Sequence, residues 1–458
     1  MARDDDDKLT TGRVRRTAQA GRALGAAGIQ GARGNHQEAA ERMVKTLGQL
    51  KGGAAKIAQL ASFIDTDFIP DEYRGTYQDE LGKLRANAPA MSWDKVSRVL
   101  DEEWDDPIED HFASFEHEAV AAASIGQVHR ATLLDGTAVA VKIQYPGMAR
   151  ALEADMSNAT MIMRLAKALA PGLDAKSVAA ELRERVLEEL DYEIEAANQR
   201  TFARAYRGHP FVRVPDVVTR LSTGRVLVSE WVDGIGFDDV KRLPQAEKDR
   251  FAEIVFRFAF GSVYHLQHFN ADTHPGNYLL MADGHVAFLD FGMTKRLDTS
   301  QIELEIAVIE AGLADDPDTL RERLATLGYL KHPDRVDATQ LMRHARAVGG
   351  WYMDDREVTV DAHTVMTAME AMTDPRSEFY DVVRQASMPA DELMGQRMQT
   401  GVLAVLGQLG ATRNWMRIGC EWWFAAEPAT ELGRDEWAYF EARGEKRTRR
   451  FSTRAADS

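Results

Sequence analysis

Apolar side chains recur at helical spacing from Glu38 to Leu100, through Met43, Leu47, Leu50, Ile57, Leu60 and Phe63, with Pro70 and Pro89 as breaks. A helical N-terminal segment is predicted there, preceded at Gly12–Gly34 by a weakly ordered, amphipathic stretch rich in Ala, Gly and Arg. The period then changes. Between Phe115 and Tyr145 the strand-like pieces GQVHRATL and AVAVKIQY flank LDG, whose Asp-Gly pair signals a tight turn, so a β-hairpin is expected. Helical patterning resumes from Ala149 to about Arg207, strands are expected at VRVPDVV and RVLVSEWV, and the remainder from Asp238 reads as mostly helical. Within it, AEKDRFAEIVFRFAFGSVYHLQHF carries a strong apolar face and ends where the densest polar motif begins. The order, strand-rich first and helix-rich second, is that of a two-lobed α+β enzyme.

At 458 residues the chain exceeds what one core usually holds, roughly 250–300 residues, and should divide. The expected parts are a weakly ordered leader over 1–35, a helical extension over 36–110, a strand-bearing unit with a helical insertion over 111–235, a helical unit over 236–440 and a basic tail over 441–458. Cys420, the single cysteine, rules out an intramolecular disulfide and fits a reducing compartment. A net charge of −16 argues against nucleic acid as a partner and against broad affinity for an anionic membrane. Two basic patches, Arg13, Arg15 and Arg16 near the start and KRTRR at Lys446–Arg450, read as solvated ends and keep peripheral membrane contact open. The best bilayer-spanning candidate, ATMIMRLAKALAP, is broken by Arg164 and Lys167, and MARDDDDKL lacks the apolar core of a secretory signal. A cytoplasmic location, with peripheral membrane contact as an option, is the resulting expectation.

Chemistry enters with four pieces in fixed order: a hairpin over a phosphate site, VAVK ending at Lys142, NADTHPGN from Asn270 to Asn277, and FLDFGM from Phe288 to Met293. They match the parts of a kinase active site. On a strand, Lys142 can aim its ammonium at α- and β-phosphate oxygens. Asp272 and Asn277 stand five apart, the kinase spacing in which the Asp orients an acceptor and the Asn ligates magnesium; Asp290 of DFG follows thirteen residues later. Mg2+ takes hard oxygen ligands and keeps several waters, so an Asn carbonyl, an Asp carboxylate and nucleotide phosphates can complete its shell. The strand RVLVSEWVDG would present backbone groups at Glu230 and Val232 to adenine.

These blocks together resemble the UbiB (AarF-type) atypical kinase-like family: AAASIGQVH, VAVKIQYPG, EELDYEIEAAN, NADTHPGN and FLDFGM stand in its order from about Lys51 to Leu297. The resemblance implies a two-lobed protein-kinase-like α+β fold with a family-specific N-terminal helical extension and a largely helical C-terminal region. It implies that KIAQ puts Lys56 and Gln59 on a helix across the active-site mouth, that Glu189 and Asp191 form the family's Glu-x-Asp motif, and that Glu195 pairs with Lys142. On a helix, Asp191 and Glu195 are four apart and can face one pocket. Two positions depart from the family pattern: Ala58 stands where it has glycine and Asn270 where the catalytic loop has histidine. Asparagine keeps a hydrogen-bonding side chain and removes a titratable ring.

The phosphate loop is unusual in carrying Ala121, Ala122 and Ala123 where glycine would let backbone N–H groups approach an anion. Three alanines should favour a stiffer, more helical arrangement, with Ser124, Gly126 and the segment's N-terminal backbone donors still available to phosphate. ATP and ADP binding should persist. With a helix over the cleft, a small molecule, a lipid headgroup or water reaches Asp272 more easily than a protein chain does. The sequence therefore points to a magnesium-dependent ATP-binding enzyme, a small-molecule kinase or ATPase, and the resemblance alone implies a place in isoprenoid-quinone or other lipid metabolism. A protein kinase and a nucleotide-sensing scaffold are the alternatives.

Overall fold

The computed structural model describes residues 91–123, 125–147, 190–373, 376–387, 389 and 392–445. The chain divides into two compact units, Met1–Leu134 with Val141–Ala159, and Asp135–Ala140 with Thr160–Ser458.

In the first unit, α1 (Trp93–Glu103) buries Val96, Val99 and Leu100 at helical spacing and ends where Trp104 turns extended. Trp93 packs on Phe115 at 5.2 Å and Trp104 on Phe112 at 5.5 Å, pinning both ends of the helix to the first of the strands that follow. These are β1 (Phe112–Phe115), β2 (Ala121–Ala122), β3 (Gly126–Leu133) and β4 (Ala138–Gln144). β1 and β2 both run antiparallel to β3, and β4 is its other neighbour. Alternation along β4 buries Val139, Val141 and Ile143 completely and turns the intervening residues to the other face. The predicted Asp-Gly turn forms: Asp135 Oδ1 accepts the Thr137 N–H at 2.9 Å, and Gly136 takes φ +89°.

The second unit begins its described part with α2 (Tyr192–Ala205), then β5 (Val212–Arg213), β6 (Val226–Glu230) and β7 (Ile235–Gly236). The long apolar stretch is α3 (Gln245–Phe256), a π turn over Arg257–Gly261, and α4 (Ser262–Leu266). β8 (His268–Asn270), β9 (Tyr278–Leu280), β10 (Val286–Phe288) and β11 (Thr294–Arg296) carry the polar motifs. One sheet has the order β5-β10-β9-β7, and β11 pairs separately with β8, Thr294 opposite Asn270. The rest is mainly helical: α5 (Thr299–Leu313), α6 (Pro317–Thr326), α7 (Ala338–Gly349), α8 (Ala362–Thr373), α9 (Tyr380–Gln385), α10 (Leu393–Leu409), α11 (Trp415–Trp423) and α12 (Glu431–Ala442). The ribbon β12 (Val358–Val360) and β13 (Ala411–Arg413) ties this region together. No helix of the described residues is long and apolar enough to cross a membrane.

The π turn opens on a buried ion cluster. Arg257 is fully buried, and its five N–H groups all find acceptors: Nε donates to Glu253 at 2.9 Å, Nη1 to Glu421 at 2.9 Å and Glu436 at 2.8 Å, and Nη2 to Glu421 at 2.9 Å and Thr430 at 3.0 Å. Burial opposes the charge, but Glu436, Glu421 and Glu253 outweigh it and hold Arg257 above its ordinary pKa. This knot fixes α3 against α11 and α12, and so fixes the stretch that leads into β8.

On β8, His268 is buried and its Nε2 lies 2.9 Å from Thr294 Oγ1. Desolvation drops its pKa to about 4. The folded protein therefore binds fewer protons than the unfolded chain between the ordinary value of roughly 6.5 and about 4, and this residue's contribution is lost as pH falls through that window. Melting curves of the wild type should shift downward from pH 7 to pH 4.5, and His268→Gln should lessen that shift; equal shifts in both proteins would contradict the assignment.

Candidate active site

In the first unit, the alanine-rich loop is extended, which corrects the expectation of a helical arrangement. Ala121 and Ala122 pair with Val128 and Gln127 of β3, and the Ala123 N–H donates to the Gly126 carbonyl at 2.9 Å. The strand ladder satisfies these backbone groups between residues far too few to close a helix, so pairing overrides alanine's intrinsic preference. Gly126 is required by a close approach: a Cβ there would lie 2.1 Å from the Ile143 carbonyl oxygen on β4. Next to it, Gln127 Oε1 accepts the Met91 N–H at 2.7 Å, which holds the start of α1 to the base of the loop. Lys142, half-buried, lies on the face of β4 opposite Val141 and Ile143. Ser124, Lys56, Gln59, Ala58 and Glu189 lie outside the described residues.

In the second unit, Asp191 is the N-cap of α2, its Oδ1 accepting the Glu193 N–H at 2.9 Å. It therefore precedes the helix on which it was expected to share a face with Glu195. Glu195 is one turn in and buried at 5% exposure, far from the solvated state usual for glutamate. It faces the DFG segment: a Cβ on Gly292 would meet Asp290 Oδ1 at 3.3 Å and Glu195 Oε2 at 3.8 Å. α2 is held in that position by Asn198 Nδ2 donating to the Phe291 carbonyl at 3.2 Å and by Phe202 packing on Phe291 at 5.0 Å.

The catalytic-loop residues converge through short polar bonds. Asn270, buried at the end of β8, donates from Nδ2 to the Asp290 carbonyl at 2.6 Å and accepts the Asp272 N–H on Oδ1 at 2.9 Å. One side chain thus ties the backbone of Asp290 to that of Asp272. Asn277 Nδ2 donates to Asp272 Oδ2 at 2.8 Å, so its amide oxygen points away from that carboxylate. Backbone bonds close the rest: Leu289 N–H to the Asn277 carbonyl at 3.1 Å, and Ala271 N–H to the Met293 carbonyl at 2.8 Å. Asp290 Oδ1 accepts the Gly292 N–H at 3.0 Å, which fixes its rotamer. Asn277 and Asp290 offer the hard oxygen donors that suit Mg2+ in company with phosphate oxygens. Tyr278 beside them is buried, and burial together with the Asp272 charge raises its phenol well above the ordinary value.

At the predicted hinge, within the second unit, the Trp231 N–H donates to the Ala138 carbonyl at 2.9 Å. The Glu230 carboxylate pairs with Arg213 and accepts the Asp216 N–H at 3.0 Å, so any contact of Glu230 with a base falls to its backbone. Val232 follows, half-buried.

Two contributors escaped the sequence reading. Arg397 on α10 places Nη2 3.4 Å from Asp272 Oδ1. Gly401, one turn on, lets α10 close on the loop, since a Cβ there would lie 1.8 Å from Thr273 Oγ1. In sequence, ELMGQRMQTG looks like any amphipathic helix, and no local spacing marks either residue.

A strand lysine, a buried helix glutamate, an Asp-x4-Asn loop and a DFG segment on an α+β scaffold define a protein-kinase-like chain. The model of the ABC1 atypical kinase-like domain matches residues 83–324, more than half of the chain, and the chain belongs to that family, the UbiB family of atypical kinases. It is 34% identical over 292 residues to the mitochondrial atypical kinase COQ8B of Rattus norvegicus, covering 64% of this chain and 54% of that protein. It is 32% identical to the chloroplastic protein ACTIVITY OF BC1 COMPLEX KINASE 1 of Arabidopsis thaliana, over 57% of this chain and 39% of that protein. The match thus spans about half the length of these curated relatives or less. Among solved structures, Rv3197 of Mycobacterium tuberculosis in complex with erythromycin superposes with a TM-score of 0.64 at 32% identity, covering 86% of this chain and 98% of that one.

Removing the Asn270 side chain would strip a part-buried carbonyl and a part-buried N–H of this partner. Asn270→Ala should lower the unfolding free energy by about 1–3 kcal/mol in urea titration; an unchanged midpoint and slope would show that the clasp contributes nothing.

Proposed function

We propose that this protein is a magnesium-dependent, ATP-binding atypical kinase or ATPase acting on a small-molecule or lipid-pathway substrate, serving isoprenoid-quinone or other lipid metabolism. The observation that carries the reading is the Asn270 clasp with the Asn277–Asp272 bond, which sets Asp272, Asn277 and Asp290 in one fixed relation. On this reading Lys142 binds the α- and β-phosphates and is oriented by Glu195. Ala121, Ala122, Ala123, Ser124 and Gly126 form the phosphate-side hairpin, and the backbone at Glu230 and Val232 meets adenine. Asn277 and Asp290 hold Mg2+, which when bound offsets charge on the phosphate oxygens. Asp272 orients the acceptor: its oxygen attacks the γ-phosphorus, its proton passes to the Asp272 carboxylate, the bond to the β–γ bridging oxygen breaks, and ADP leaves with that electron pair. Lys56, Gln59, Glu189 and Asp191 form the family-specific gate, which either polarises a substrate or keeps the site closed. A relative solved with erythromycin supports a ligand of small-molecule size. The protein would work in the cytoplasm and meet a lipid substrate by peripheral membrane contact.

Thermal melting with ATP or ADP, with and without Mg2+, tests occupancy, because a ligand at 100 times its Kd stabilises by about 2.7 kcal/mol. Stabilisation should need Mg2+ and shrink in Lys142→Ala and Asp290→Asn, and phosphate release with liposomes should vanish in Asp290→Asn. Strong labelling of lysate polypeptides that depends on Asp290 would favour a protein kinase instead; Mg2+-dependent binding with no turnover would favour a scaffold.

A further inference from the structure

Between Asp272 and Leu289 the chain has no Lys or Arg, so the acceptor-orienting loop supplies no permanent cation of its own. The cation comes from 125 residues downstream, where Arg397 reaches Asp272 Oδ1. We infer that Arg397 is a positioning residue for phosphoryl transfer, acting through Asp272, and that α10, which lies beyond the matched residues 83–324, is part of the active site. The inference rests on the functional reading above and adds a residue and an element to it.

Three observations support it. Asp272 is gripped on both oxygens, Oδ2 by Asn277 at 2.8 Å and Oδ1 by Arg397 at 3.4 Å. The second grip is the longer, so the Oδ1 side is where an acceptor hydroxyl can approach while the guanidinium keeps the carboxylate from rotating away. The pair is also sheltered: the side chains of Arg397 and Asp272 are only 21% and 15% exposed, so solvent screens it less than a surface ion pair. Finally, α10 is fastened at several points. Gly401 closes on Thr273 of the loop itself. At the far end Gln245 Nε2 donates to the Leu409 and Gly410 carbonyls at 3.3 and 2.9 Å, and Gln301 bonds to Glu392 just ahead of the helix. A guanidinium on so fixed a support can set a carboxylate within the tolerance that transfer geometry demands.

The test is steady-state phosphate release by the full chain with Mg2+ and ATP, with melting temperature recorded for each variant. Arg397→Ala should lower kcat by about 100-fold while KM for ATP stays within about two-fold, because the lost interaction orients the acceptor and not the nucleotide. Arg397→Lys should recover part of kcat, and millimolar guanidinium ion should partly rescue Arg397→Ala. A kcat for Arg397→Ala within two-fold of wild type would overturn the inference. So would a loss of kcat accompanied by a lowered melting temperature that neither lysine nor guanidinium relieves, since helix packing would then be what was removed. Wild-type turnover abolished by Asp290→Asn, beside unaffected Arg397→Ala, removes this inference alone; absence of wild-type turnover removes the functional reading and the inference with it.

Discussion

Everything at this site depends on one side chain that donates and accepts at once. Asn270 gives a hydrogen to the backbone of Asp290 and takes one from the backbone of Asp272. The two segments bear like-charged side chains, and the amide adds to the backbone bonds that already join them a link through the backbones of Asp272 and Asp290, where charge does not oppose the contact. A neutral histidine, the residue the family pattern favours here, can do the same with its two ring nitrogens, but only while uncharged; asparagine keeps both roles at any pH. The departure from the pattern therefore preserves the geometry and gives up titration.

The clasp works because its surroundings are rigid. β8 delivers Asn270, and β8 follows α3, the π turn and α4, whose position is set by the Arg257 knot with Glu253, Glu421 and Glu436. Phe258 in that turn stacks on Phe288 at 3.7 Å, directly before the DFG segment, and Phe202 of α2 packs on both Phe258 and Phe291. The aromatic layer thus carries the order of the buried ion cluster to the residues that would meet a nucleotide. C-terminal helices contribute twice, through Glu421 and Glu436 beneath the site and through Arg397 and Gly401 at its edge.

How far the chain could be read in advance varied with the range of the interaction. The β3–β4 hairpin was legible because alternation and an Asp-Gly turn are local signals, and the closeness of Asp272 to Asn277 was legible because the two stand five apart in one short loop. Ala121–Ala123 misled because helix propensity is a property of the isolated segment, whereas a partner strand decides its state. Asp191 was read as lying within helical patterning from Ala149 to about Arg207, whereas it is the N-cap of α2, since apolar spacing alone does not mark where a helix starts. Arg397 could not be found at all: its partner is 125 residues earlier, and nothing in its neighbours differs from an ordinary helix surface.

The most direct measurement is a crystal structure of the full chain with Mg2+ and a non-hydrolysable ATP analogue. The account predicts one Mg2+ with oxygen ligands from Asn277 and Asp290 at about 2.0–2.1 Å and the remaining positions filled by phosphate and water. An analogue bound elsewhere, or a metal that neither residue touches, would contradict it.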